Sequence, residues 1–264
     1  MKIILHGVRG STAVFSKKNL KYGGNTTCSE VLTDCNQIFV DVGTGFVNAP
    51  LCQGQRNISI FISHFHHDHI QGLAFNRELA LTKKKISISS AMVSGNELRK
   101  IILDYFSNVY FPVRFDEAFP NVEFVDFENL KTQLEPEVEV NTLKLNHPGG
   151  SSGYSIRTSR SKFVVLLDNE FQMEQCEKLL KFSENASIIV WDGMFTKQEL
   201  VLKKGWGHSA IEDGQKFIKD LNSGKLLISH HSPFRSDIEL ESLEKHYGND
   251  ELGFARDDTL IELN

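Results

Sequence analysis

Cysteine is scarce in this sequence, which has four cysteines in 264 residues and no C-x-x-C pair. Small secreted domains that depend on disulfides carry a much denser cysteine framework. We therefore expect reduced thiols in a cytosolic protein at the four positions, which are Cys28, Cys35, Cys52 and Cys176.

Long apolar runs are also missing. No stretch approaches the roughly 20 apolar residues that a membrane-spanning helix requires. The segment IILHGV after Met1 and Lys2 is too short for the core of a signal peptide. The sequence thus predicts a cytoplasmic protein with no membrane partner.

An excess of basic residues is the third absence. Lys and Arg number 29 against 34 Asp and Glu, which gives a formal net charge of −5. Binding to a large nucleic acid normally requires a basic face, so we expect no such partner. The chain length, without repeats or a visible linker, predicts a single domain over residues 1–264.

Against these absences, one segment is rich in possible metal ligands. In NISIFISHFHHDHIQG, residues 57–72, isoleucines alternate with Ser59 and Phe61 and predict a buried strand. Past the strand end, an H-x-H-x-D-H pattern presents ligand-type side chains within six residues: His64, His66, Asp68 and His69. Alternation along extended backbone places His64 and His66 on the same side and turns His67 away. Imidazoles with a carboxylate are ligands that zinc and similar divalent metals prefer.

Three further predicted strands end at residues of the same chemistry. His147 follows LKLN, Asp168 ends KFVVLLD, and His230 follows KLLIS. Since strands of one sheet end on a common edge, these side chains can converge with the motif. The strand pattern favours His230 over His231 as a ligand, which leaves His231 beside the ligands or facing the substrate. Ser209 and Glu212 have capping-box spacing, so we expect Ser209 to cap a helix.

The metal motif resembles that of the metallo-β-lactamase superfamily. Flanking segments resemble its phosphodiesterase branch related to ribonuclease Z, which includes the phage anti-Pycsar enzymes that cleave cyclic nucleotides. They are HGVRGS at 6–11, YGGNTTCSEV at 22–31, DVGTG at 41–45, HPGG at 147–150 and GWGHS at 205–209. The resemblance implies an α+β fold, a single-domain, four-layer αββα sandwich. Because relatives are dimers, it also implies a homodimer whose partner chain could supply a lid.

The resemblance also implies a dinuclear metal site. One ion would be held by His64, His66 and His147, a second by Asp68, His69 and His230, with Asp168 bridging them. Zn²⁺ is the first choice for this set of nitrogen and oxygen donors, and Mn²⁺, iron or cobalt would fit it as well.

Candidates for catalysis and substrate binding complete the predicted site. Asp68 would accept a proton from the attacking water, and His208 in GWGHS would protonate the leaving alkoxide. Asn25 and Thr26 in YGGNTT are candidate donors to the phosphate. Residues 108–120 are rich in aromatics, and they predict either a loop packed on the core or a lid whose Tyr110 and Phe111 stack on a base.

Three activities are compatible with this reading. The first is hydrolysis of 3′,5′-cyclic CMP, UMP, AMP and GMP to linear monophosphates, which a phage could use in the host cytoplasm to evade cyclic-nucleotide immunity. The second is a ribonuclease Z-like RNA endonuclease, and the third is hydrolysis of a β-lactam or thioester. Ribonuclease Z carries a basic arm between its third histidine and bridging aspartate. Here His147 and Asp168 lie only 21 residues apart, which favours the cyclic nucleotide.

Overall fold

The computed structural model describes residues 1–52, 54–107, 109–221 and 223–263. Its strands are β1 (Lys2–Gly7), β2 (Cys28–Leu32), β3 (Asn36–Val40), β4 (Asn57–Ile62), β5 (Ile86–Ser90), β6 (Val122–Phe124), β7 (Glu139–Leu145), β8 (Ser151–Arg157), β9 (Lys162–Leu166), β10 (Ile188–Asp192), β11 (Lys225–Ser229), β12 (Leu252–Phe254) and β13 (Thr259–Glu262).

The helices connect and cover these strands. They are α1 (His67–Ile70), α2 (Arg77–Leu81), α3 (Gly95–Tyr105), α4 (Phe115–Ala118), α5 (Phe127–Leu134), α6 (Cys176–Ser183), α7 (Lys197–Leu200), α8 (Ile211–Leu221) and α9 (Asp237–Tyr247), with 3₁₀ turns at Thr44–Asn48, Leu73–Phe75 and Met173–Gln175. None of the described helices combines the length and the apolar character needed to cross a membrane.

The described strands form two mixed sheets. The first has the order β13-β1-β2-β3-β4-β5-β6, and the second has the order β12-β11-β10-β9-β8-β7. Pairing is parallel from β3 through β6, and from β9 through β12. Because parallel strands leave a sheet at the same edge, the residues that follow β9, β10 and β11 lie at one edge of the second sheet, and those that follow β4 lie at one edge of the first.

Three apolar clusters show how the layers pack. Ile38, Phe61 and Val165 belong to a cluster shared by the two sheets. On the outer face of the first sheet, the β4 residues Ile58, Ile60 and Ile62 pack with helix α3. On the outer face of the second sheet, Trp191 and other residues of β10 and β11 pack with α6, α8 and α9. The order helix, sheet, sheet, helix confirms the predicted four-layer αββα sandwich.

Backbone geometry at the strand ends is unusual. Asp41 after β3, Asp168 after β9 and His230 after β11 have φ angles of 63°, 54° and 56°. Residues other than glycine rarely adopt positive φ, and such conformations cluster at functional sites. The fold therefore turns the chain sharply at the points where these polar side chains enter the shared edge.

Candidate metal centre

The H-x-H-x-D-H segment crosses from strand β4 into helix α1. His66 has extended backbone, and the N–H of His69 donates to the carbonyl of His66 at 3.0 Å as α1 begins. This short turn brings Asp68 and His69 to the same end of the sheet as the two earlier histidines. His67 is exposed and shares a hydrogen bond with the hydroxyl of Tyr105, so it lies outside the clusters described next.

One cluster brings together ligand atoms of His64, His66, His147 and Asp168, all within 4.8 Å of one another. Nε2 of His64 and Nε2 of His147 lie 3.7 and 3.5 Å from Oδ1 of Asp168. Nε2 of His147 is also 3.0 Å from Nδ1 of His66, which stands on the exposed side. Three imidazoles and a carboxylate oxygen therefore face a common point.

A second cluster consists of Asp68, His69 and His230. Nε2 of His69 and Nε2 of His230 lie 2.8 and 3.1 Å from Oδ2 of Asp168, the oxygen not used by the first cluster. Oδ2 of Asp68 is 3.3 Å from Nε2 of His230. Asp168 thus stands between the two clusters, one oxygen toward each.

The buried atoms of these clusters fit divalent cations. Nε2 of His64, Nε2 of His69 and Oδ2 of Asp168 are buried, and none has a hydrogen-bond partner of suitable geometry. Burial of polar atoms without a partner is costly. Burial, together with the neighbouring His69, lowers the pKa of His64 to about 2, so its ring is neutral, which is the form that binds a metal. At His69, burial is outweighed by the carboxylates of Asp168, Asp68 and Asp41, which raise the pKa of its ring, so a cation bound there would replace a proton on the ring. The site therefore holds buried polar atoms that the protein groups themselves do not satisfy.

Asp41 orients one of these rings and was not predicted from the sequence. Its Oδ2 accepts from Nδ1 of His69 and from the hydroxyl of Ser63, and its Oδ1 accepts from the backbone N–H of Ser63, each at 2.8 Å. A hydrogen bond at the second nitrogen fixes the tautomer and orientation of a ligand histidine. The available signal was an aspartate at a strand end, in DVGTG.

His208 lies beside the clusters rather than inside a loop remote from them. Its Nδ1 donates to Oδ2 of Asp192 at 2.9 Å and is 3.9 Å from Oδ1 of Asp168. Burial opposes protonation, but the Asp192 carboxylate outweighs it and raises the pKa of His208 to about 9. Asp192 ends β10 and was also missed, although the WDG of that strand end was its signal.

Asn25 and Thr26 differ in their exposure. Thr26 is fully buried, and its hydroxyl accepts from the backbone of Thr44 at 2.8 Å and from the amide of Gln71 at 3.2 Å. The expectation that Thr26 donates to a phosphate is therefore wrong. Asn25 is half-buried and uses its Oδ1 to accept from the Thr44 hydroxyl at 3.3 Å.

His231 does not face the substrate, contrary to one of the two roles expected for it. It is 1% exposed, donates from Nε2 to the carbonyl of Ala255 at 2.9 Å, and stacks on Phe254 with ring centroids 5.9 Å apart. The backbone turns sharply at His230, where φ is 56°, and the two adjacent rings therefore have different partners.

Ser209 also has a different role from the one expected. It does not cap α8 with Glu212. Instead, its hydroxyl donates to the carbonyl of Asn169 and accepts from the backbone of Phe171 at 3.1 Å. The serine therefore connects the segment after His208 to the segment after Asp168, and this connection keeps the two site residues close together.

The aromatic stretch divides between the core and a cleft. Phe115 and Phe119 are buried, whereas Tyr110 is 81% exposed. Tyr110 and Phe111 line an apolar cleft of about 610 Å³. The ring of Phe111 stands edge-on to Phe75 at 5.7 Å. Its other lining residues are Thr44, Val47, His67, Gln71, Gly72, Tyr105 and Phe106, of which His67 is the chain neighbour of His66 and Asp68.

A four-layer sandwich with clustered histidines and aspartates at one sheet edge defines a class of metal-dependent hydrolases. The sequence of this chain matches the beta-lactamase superfamily domain over residues 36–231. The chain therefore belongs to the metallo-β-lactamase superfamily.

Individual relatives agree with this assignment. The chain is 22% identical over 226 residues to ribonuclease Z of Ignicoccus hospitalis, covering 68% of this chain and 72% of the relative. The metallo-beta-lactamase fold protein YhfI of Bacillus subtilis superposes with a TM-score of 0.70 at 16% identity, covering 99% of both chains. A diphosphatase from the PhnP family superposes with a TM-score of 0.69 at 16% identity, covering 100% of this chain and 98% of the other. These structural likenesses show the fold.

Proposed function

We propose that the protein is a metal-dependent phosphodiesterase that opens 3′,5′-cyclic nucleotides to linear monophosphates. His64, His66 and His147 would hold one divalent ion, and Asp68, His69 and His230 a second, with Asp168 shared between them. Zn²⁺ is the proposed ion. When bound, two such ions activate water and neutralise charge on the phosphate in phosphodiester hydrolysis. The buried atoms of His64, His69 and Asp168 that have no hydrogen-bond partner support this assignment.

Two side chains would handle protons. Asp68 would accept the proton of the attacking water, and it is held in place by the backbone N–H of Ser11, 2.6 Å from its Oδ2. His208 would give a proton to the leaving alkoxide. Its contact with Asp192 favours the protonated imidazole near neutral pH, which is the state that an acid requires.

The short hairpin between His147 and Asp168 is the main observation in favour of a small substrate. Strands β8 and β9, joined by a short turn, occupy this stretch. No segment there is long enough to form an RNA-gripping arm, and the whole chain has a formal net charge of −5. A cyclic nucleotide needs no such arm, because the metal centre would bind its phosphate and the apolar cleft would bind its base.

The apolar cleft supports a nucleobase as part of that substrate. We propose that Tyr110 and Phe111 stack on the base and that Asn25 donates to the phosphate. Base–aromatic stacking is worth about 1–3 kcal/mol and tolerates different bases, so cyclic CMP, UMP and AMP should all be accepted. Val109 is 84% exposed beside Tyr110, and these apolar residues would be covered in a homodimer, the assembly that we propose.

A substrate panel tests the proposal. Cyclic mononucleotides, a cyclic dinucleotide, a tRNA precursor and a β-lactam are incubated with zinc-loaded or manganese-loaded protein, and the products are separated by chromatography. Linear monophosphate from several cyclic mononucleotides supports the proposal. Inert cyclic nucleotides beside a trimmed tRNA precursor would instead establish the activity named for the Ignicoccus hospitalis relative. An Asp168→Ala variant serves as the control for contaminating nucleases.

A further inference from the structure

A carboxylate outside the predicted ligand set holds the loop that contacts His147. Oε2 of Glu170 accepts from the backbone N–H of Gly205 at 2.7 Å and of Gly207 at 3.0 Å. Both glycines have a φ angle of 86°, a conformation that other residues rarely adopt. Glu170 therefore stabilises an unusual loop shape by satisfying two of its backbone donors.

The same loop supplies the carbonyl that orients His147. Nδ1 of His147 donates to the carbonyl of Gly207 at 2.8 Å, which leaves its Nε2 facing Oδ1 of Asp168 at 3.5 Å. Gly207 thus uses its N–H toward Glu170 and its C=O toward His147. One residue connects the carboxylate to the candidate ligand.

Glu170 is itself fixed to the other side of His147. Its backbone N–H donates to the carbonyl of Asn146, the residue before His147, at 2.7 Å. Its own carbonyl accepts from the side chain of Gln175 at 3.3 Å. Glu170 therefore holds the backbone next to His147 and, through Gly207, the ring of His147 as well.

We propose that Glu170 is a positioning residue for His147, acting through the Gly205–Gly207 loop to set the direction of Nε2. The proposal depends on His147 as a metal ligand and is independent of which substrate the enzyme hydrolyses. A group hydrogen-bonded to a ligand typically contributes 10–100-fold in metal affinity, and Glu170 supports such a group, the carbonyl of Gly207, from one residue further away. Loss of the carboxylate should therefore weaken zinc binding at the first cluster while leaving every ligand in the sequence.

Zinc affinity is measured by competition with a chromogenic chelator, without any substrate. Glu170→Ala should bind one zinc ion about 10-fold more weakly than the wild type, the lower end of the range for a direct partner of a ligand. Glu170→Gln retains an acceptor oxygen at the same reach and should stay within a few-fold of the wild type. Glu170→Asp keeps the charge, but its shorter side chain places the oxygens further from the loop. The zinc affinity of this variant should therefore lie between those of Glu170→Ala and Glu170→Gln. Glu174→Gln, an exposed glutamate four residues further along the chain, is the matched control.

The order of the variants decides the outcome even where the alanine variant fails to fold. Zinc binding in Glu170→Gln that is weaker than in Glu170→Asp would overturn the proposal, because charge rather than hydrogen-bond reach would then matter. Equal affinity in Glu170→Ala and Glu174→Gln would also overturn it. Phosphodiester hydrolysis by Glu170→Ala that recovers with excess zinc would agree with a defect in ligand positioning.

Discussion

At the scale of single residues, His230 and His231 are adjacent in sequence and have opposite environments. Nε2 of His230 faces the carboxylates of Asp68 and Asp168, whereas His231 packs on Phe254 and donates to the carbonyl of Ala255. The strand pattern predicted which of them joins the cluster. It could not predict the partner of His231, since β12 lies beside β11 only in the folded chain.

Alanine at these two positions should therefore have different effects. His230→Ala should abolish hydrolysis and lose bound metal, with little change in the stability of the metal-free protein. His231→Ala leaves the buried carbonyl of Ala255 unpaired and should lower the free energy of unfolding by about 1–3 kcal/mol, while the remaining folded protein keeps its metal. Urea titration and metal analysis separate the two outcomes. Loss of metal in folded His231→Ala, with normal metal content in His230→Ala, would reverse the assignment.

Asp68 contributes both a candidate ligand and a proton acceptor, and the sheets that carry it are held by apolar burial elsewhere. We expect Asp68→Ala to abolish hydrolysis and to keep a native circular dichroism spectrum. Near-normal turnover at wild-type metal content would contradict the two-metal assignment.

His208 allows a sharper test because an acid matters only where the leaving group needs a proton. His208→Ala should keep its metal and hydrolyse a cyclic nucleotide about 10²–10⁴-fold more slowly. A p-nitrophenyl phosphodiester has a good leaving group and should be affected much less. Equal losses on the two substrates would limit His208 to charge stabilisation.

At the scale of elements, the loop between α7 and α8 shows what a sequence pattern leaves open. The GWGHS segment singled out His208, but neither Gly207's hydrogen bond to His147 nor Ser209's to Asn169 is local. These contacts span 60 and 40 residues along the chain. Asn76 marks another local boundary: its side chain accepts from the backbone of Glu78 and Leu79, so α2 begins directly after the 3₁₀ turn Leu73–Phe75.

The two loop glycines provide a matched pair for testing this element. Both have a φ angle of 86°, but a Cβ at Gly207 would lie 2.2 Å from Nδ1 of His147, whereas a Cβ at Gly205 would have no atom within 4 Å. Each alanine variant should carry similar backbone strain, on the order of 1–2 kcal/mol. Only Gly207→Ala should also lose zinc affinity, as measured by chelator competition. Equal affinities in the two variants would contradict the proposed link from this loop to His147.

At the scale of the whole molecule, the layer order was predictable while the sheet edges were not. The metal motif and flanking segments indicated the αββα sandwich, which the structure confirms. Strands β12 and β13 escaped sequence analysis because each is short and is stabilised by a distant partner. Ile3 of β1 pairs with Ile261 of β13, so the first and last strands of the described chain lie side by side.

The metal centre joins these layers, since its ligands come from both sheets: the segment after β4 in the first, and the ends of β7, β9 and β11 in the second. A cation held there binds only the folded state and should stabilise the whole molecule by mass action. At a free zinc concentration 100 times Kd, the stabilisation is about 2.7 kcal/mol. For a domain of this size each kcal/mol shifts Tm by roughly 2–4 °C, so removal of zinc by a chelator should lower Tm by on the order of 5–10 °C. Calorimetry with and without chelator, followed by zinc addition, measures the effect.

Asp168→Ala, which lacks the carboxylate shared by both clusters, should show a much smaller shift. An unchanged Tm in chelated wild-type protein would mean that these ligands bind no cation tightly in the folded chain.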